Sequence, residues 1–128
     1  MLEEGGNKMA KNIKSKNRMA ISFGSLDPNE LKGVVRDGLV SMTLTDREEF
    51  IRAFESEMRR ISLNVRSYLI PLGIPGRTPE DLTPTEVGHL IRYLKINVPQ
   101  AMGAIEHVLA GYSVFAEKSG QHAGPLAA

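Results

Sequence analysis

Residues 45–72, TDREEFIRAFESEMRRISLNVRSYLIPL, decide how the rest of the chain is read. Phe50, Phe54, Met58, Ile61, Val65, Tyr68 and Leu72 recur at intervals of four, four, three, four, three and four, the signature of one helical face. Six intervals cover 22 residues, about 3.67 per turn, so the stripe hardly drifts around a straight helix and implies little supercoiling. A single amphipathic helix over 45–72 is therefore expected. Thr45-Asp46-Arg47-Glu48 supplies a capping box at its start and Pro71 ends it. Glu48 with Arg52 and Glu55 with Arg59 form i,i+4 pairs on its polar side, each contributing a few tenths of a kcal/mol.

Toward the N-terminus, Asp27-Pro28-Asn29-Glu30 reads as a second helix start, with Leu31, Val34 and Val35 turned inward and a stop near Gly38. The connector 39–44 reads equally as strand or loop. Residues 18–25 alternate weakly, as a short strand or extended arm does. Residues 1–18 are expected to be a disordered basic tail, since Lys8, Lys11, Lys14, Lys16 and Arg18 follow one another with no acid between them. Glu3-Glu4-Gly5-Gly6 is what the purine-rich codons of a ribosome-binding site encode when translated. On that reading Met9 is the natural start and residues 1–8 are an artefact. Mass spectrometry of natively expressed protein with Met1 intact would end that idea.

Toward the C-terminus, three prolines and two glycines in 71–81 make a stiff turn beneath which Leu72 and Ile74 tuck. Thr83-Pro84-Thr85-Glu86 starts a helix carrying Val87, Leu90, Ile91 and Leu94 on one side. Asn97-Val98-Pro99-Gln100 interrupts it and caps a final helix, which carries Ala101, Met102, Ile105, Val108, Leu109, Tyr112 and Phe115 inward and ends near Gly120. The remainder, 120–128, has no periodicity and is expected to fray. The expected fold class is all-α. It is a small helical bundle over 19–119, built on one long central helix with two C-terminal helices and a short N-terminal helix closing one side.

Composition excludes several chemistries. Sixteen Lys and Arg balance 15 Asp and Glu, so no overall field favours polyanions or membranes. The absence of cysteine removes disulfides, thiolate catalysis and cysteine metal sites, and fits a reducing, cytoplasmic setting. No apolar run approaches a membrane span of about 18–20 residues or a signal-peptide core, so no membrane association is expected. No Gly-x-Ser-x-Gly elbow or Gly-rich phosphate loop occurs, and three histidines leave little for acid–base work, so no catalytic residues and no cofactor are assigned.

Four patterns bear on function. Glu86-Val87-Gly88-His89 has the E-x-x-H spacing of di-iron bundles, but one copy does not make a site and Glu86 already serves as a cap. No metal is assigned, with Glu86 and His89 the weak candidates. Gly103, His107 and Gly111 recur every four residues, a face that admits another helix closely. The basic residues Lys11, Lys14, Lys16 and Arg18 suit phosphate contacts, and with 18–25 as a ribbon they extend to a ribbon-helix-helix reading. A helix-turn-helix over 83–111 turns His89, Arg92, Tyr93 and Lys95 outward, although its second helix offers a poor set for base contacts.

The long stripe outruns what the shorter helices cover, which predicts a homodimer through Phe50, Phe54, Met58, Gly103, His107 and Gly111. The function expected first is a non-catalytic assembly protein whose oligomer presents a helical surface to an unidentified protein partner. The alternative is a nucleic-acid-binding regulator using the N-terminal segment.

Overall fold

The computed structural model describes residues 23–74 and 76–123. Five α-helices account for most of them: α1, Pro28–Ser41; α2, Leu44–Arg60; α3, Pro84–Asn97; α4, Met102–Ala110; and α5, Ser113–Ala123. Single 3-10 turns lie at Phe23–Ser25, Val65–Tyr68, Pro79–Asp81 and Pro99–Ala101. No strand occurs among the described residues, so the class is all-α. The basic tail over 1–18, the proposed start at Met9 and the first part of the expected ribbon lie outside the described residues. Phe23–Ser25, the ribbon's end, is a 3-10 turn rather than a strand.

Two of the helix starts form as their sequences require. The Asp27 side chain accepts from the Glu30 backbone N–H at 2.8 Å, and the Glu30 carboxylate accepts from the Asp27 N–H at 3.0 Å. Thr83 and Glu86 make the same reciprocal pair ahead of α3. Helix α1 does not stop at Gly38 but runs to Ser41, absorbing half of the undecided connector. Gly38 is there for contact: a Cβ on it would lie 2.5 Å from the ring of Phe115. Helix α2 then starts at Leu44, capped by Thr43, whose hydroxyl accepts from the Asp46 N–H at 3.1 Å, rather than by Thr45. Arg47 donates from Nε to the Leu39 carbonyl at 3.2 Å and ties the two helices at their corner.

The continuous helix expected over 45–72 is not formed. Leu63 N–H bonds to Met58 O at 2.9 Å and Ser62 N–H to Arg59 O at 2.9 Å, the paired bonds of a Schellman stop. Ser62 occupies its left-handed position at φ 65°. Ile61, just before it, is 38% exposed, whereas beyond it Val65 and Leu69 re-enter the core from the 3-10 turn. The same stop recurs around Gly73 at φ 78°, with Ile74 N–H bonded to Leu69 O at 3.0 Å. Glu55, expected on the polar side, is 7% exposed and accepts from Arg66 Nε at 3.4 Å, clipping the returning turn to α2.

The expected final helix is likewise two. Gly111 and Tyr112 close α4 with short bonds to Val108 O and Leu109 O at 3.1 Å each, and α5 departs at Ser113 and continues past Gly120 to Ala123. Asn97 does not cap α4; its side chain donates to Tyr93 O at 3.1 Å. Helix α2 remains the longest described helix, but α1 is no side closure: it packs against both α3 and α5, while α2 packs on α4. One apolar core joins all five helices, centred on Phe50, whose ring lies 5.0 Å from Phe115 and 5.5 Å from Tyr112. Among the described residues no helix is long and apolar enough to cross a membrane.

Candidate functional site

The six residues expected to drive self-association divide cleanly. Phe50, Phe54 and Met58 are at most 2% exposed, covered by their own chain because Tyr112 and Phe115 fold back across the α4–α5 break. They have no surface to give a partner. Gly103, His107 and Gly111 are exposed along one side of α4, with Ala110 exposed beside them. A Cβ on Gly103 would meet no atom within 4 Å. Against this side, Ala53, Ser56 and Glu57 of α2 complete a shallow cleft of about 300 Å³ with His107, Val108, Gly111 and Tyr112.

Tyr112 is shared with a second cleft of about 300 Å³, which reaches the α1–α2 corner through Ser41, Met42, Thr43 and Asp46 and α5 through Ser113 and Val114. Burial raises the Tyr112 hydroxyl above its ordinary range, and the nearby Glu49 and Asp46 carboxylates add to that. The phenol is therefore a neutral hydrogen-bonding group at physiological pH, and its only local signal is an apolar position on the expected last helix.

Glu86 is taken up by its own helix cap and by Arg77. One Glu86 oxygen accepts the Thr83 N–H at 2.9 Å and Arg77 Nη2 at 3.1 Å, and the other accepts Arg77 Nη1 at 3.2 Å. The capping bond from Thr83 is the main reason its carboxyl is held below the usual range. Partial burial, then the charges of Lys32 and Arg92, lower the His89 imidazole, a setting that repels a cation. Among the described residues no group of three or more His, Asp and Glu side chains is placed to hold a metal.

Around His89 the cations of Lys32 and Arg92 stand opposite the Glu86 carboxylate. Helices α1 and α3 approach so closely at Gly88 that a Cβ there would lie 2.9 Å from Lys32 O and 3.7 Å from Arg36 Cβ. One end of the seam is fixed by Arg92 Nε donating to Asn29 Oδ1 at 2.8 Å, and beyond it Lys95 Nζ donates to Gly24 O at 2.9 Å. Arg36, Lys32, His89, Arg92 and Lys95 thus follow one another along the α1–α3 boundary. The outward set on α3 is legible from its periodicity. Lys32 and Arg36 are missed because only the tertiary crossing at Gly88 brings them alongside. The expected phosphate-binding residues Lys11, Lys14, Lys16 and Arg18 lie outside the described residues.

Compared with protein-family models, curated proteins and solved structures, the chain matches none.

Proposed function

We propose that this protein is a non-catalytic, cytoplasmic assembly module that pairs with a second copy along α4 and presents the composite helical surface to a protein partner. The observation that carries the reading is the bare side of α4, where Gly103, His107, Ala110 and Gly111 are exposed and Gly103 has open space above it. Small side chains let helix axes approach to the short end of the 8–10 Å range, so van der Waals contact extends along the backbone. The adjoining cleft lined by Ala53 and Ser56 gives the partner helix a place to seat. Dimers with one self-complementary patch are the commonest closed assemblies, and an α4-to-α4 contact is of that kind. The cytoplasmic setting is supported by the absence of cysteine. Light scattering over a hundredfold dilution series tests the pairing: the mass falls from two chains to one on dilution. A single-chain mass at every concentration refutes it.

A further inference from the structure

We infer that the cleft where the end of α1 meets the starts of α2 and α5 binds a small organic cation, an ammonium group on a short apolar stem. The cleft, of about 300 Å³, lies at the lower end of the size range of small-molecule sites. Its walls divide by chemistry. Met42 and Val114 are apolar, while Asp46, Tyr112, Thr43 and Ser113 bring oxygens. The Tyr112 ring stands edge-on to Phe50 at 5.5 Å and to Phe115 at 6.1 Å, so the core sets the position of its hydroxyl. Among the described residues that hydroxyl and the Ser113 hydroxyl have no hydrogen-bond partner. The assignment does not rest on pairing along α4, which uses the other cleft.

The sign of the ligand's charge follows from the groups around the phenol. After burial, what raises the Tyr112 hydroxyl is the negative charge of Glu49 and Asp46, with no cation acting in the opposite sense. Among the described residues neither carboxylate is ion-paired, whereas Glu48, Glu55 and Glu57 on the same helix each face an arginine. No Lys or Arg lines the cleft. An anion is therefore repelled. A metal ion is poorly served, since among the described residues no three His, Asp and Glu side chains gather to hold one. An ammonium needs less. Its three donors match the Asp46 carboxylate and the Tyr112 and Ser113 oxygens. Opposite charge at an exposed carboxylate is worth little by itself, so the stem matters: laid over Met42 and Val114, it adds apolar burial to the ion pair.

Titration of the isotope-labelled full chain with phenethylamine, followed by backbone amide chemical shifts, tests the assignment. Saturable binding is expected, with the largest shifts at Thr43, Tyr112 and Val114. Phenethyl alcohol, of the same shape without the charge, and hydrocinnamate, of opposite charge, should each bind about tenfold or more weakly, the loss of one charge-assisted hydrogen bond. Asp46→Asn should weaken the amine by about tenfold for the same reason. Tyr112→Phe, which keeps the ring among Phe50 and Phe115, should also weaken it, and serves if Asp46→Asn disturbs the start of α2. Glu57→Gln, in the other cleft, should leave binding unchanged. No saturable shift, the alcohol or hydrocinnamate binding as tightly as the amine, an equal loss in Glu57→Gln, or Asp46→Asn and Tyr112→Phe variants that bind like wild type would each overturn the inference.

Discussion

Gly38 and Gly103 predict opposite responses to the same change. At Gly38 an added methyl meets the buried Phe115 ring at 2.5 Å, and the ring is held by Phe50 at 5.0 Å. Overpacking of about 1–3 kcal/mol against a gain in helix propensity of about 1 kcal/mol leaves Gly38→Ala less stable by up to about 2 kcal/mol. At Gly103 the methyl meets nothing, and Gly103→Ala should raise stability by about 0.5–1 kcal/mol. Urea denaturation of the two variants checks both signs. His89 provides a pH test. Its imidazole is lowered from 6.5 in the folded state, so the unfolded chain binds the proton more readily in the window just below pH 6.5. The neutral form therefore stabilises the fold above that window, and stability should fall as pH drops through it. The Tm of His89→Gln should lose that part of the pH dependence. Glu86, lowered from 4.5, acts in the same sense but only at more acid pH.

At the scale of elements, the turn at Ser62 decides the architecture. A non-glycine residue in the left-handed region is strained by about 1–2 kcal/mol, partly offset by the lower unfolded-state entropy of serine relative to glycine. Ser62→Gly should therefore stabilise the protein by about 0.5–1 kcal/mol, read as a rise in Tm by calorimetry. This turn also explains what the sequence concealed. Asp27 and Thr83 were legible because a cap, a proline and a glutamate act locally. The stop at Ser62 was not, because helical stops are signalled by glycine and here serine takes that place, while Val65, Tyr68 and Leu72 happen to continue the period. Gly38 misled in the opposite direction. A glycine required by a ring on α5 has the same local appearance as a glycine that ends a helix. Lys32 beside His89, and Tyr112 between two clefts, arise only when distant helices cross, and no periodicity carries that information.

At the scale of the whole molecule, the reason for expecting a partner changes. A stripe of six turns predicts covering by a second chain, yet the chain bends at Ser62 and again at Gly111 and covers Phe50, Phe54 and Met58 itself. What is left open is the small-residue side of α4. Gly103→Leu discriminates most sharply, because a Cβ there meets no atom of its own chain within 4 Å while a leucine would obstruct a second helix packed on this side. In sedimentation equilibrium the wild type should fit a reversible dimer and Gly103→Leu a single chain, with a Tm at least equal to wild type at dilutions where both are monomeric. A wild type that sediments as one chain throughout, or a Gly103→Leu variant that dimerises as tightly as wild type, would contradict pairing along α4.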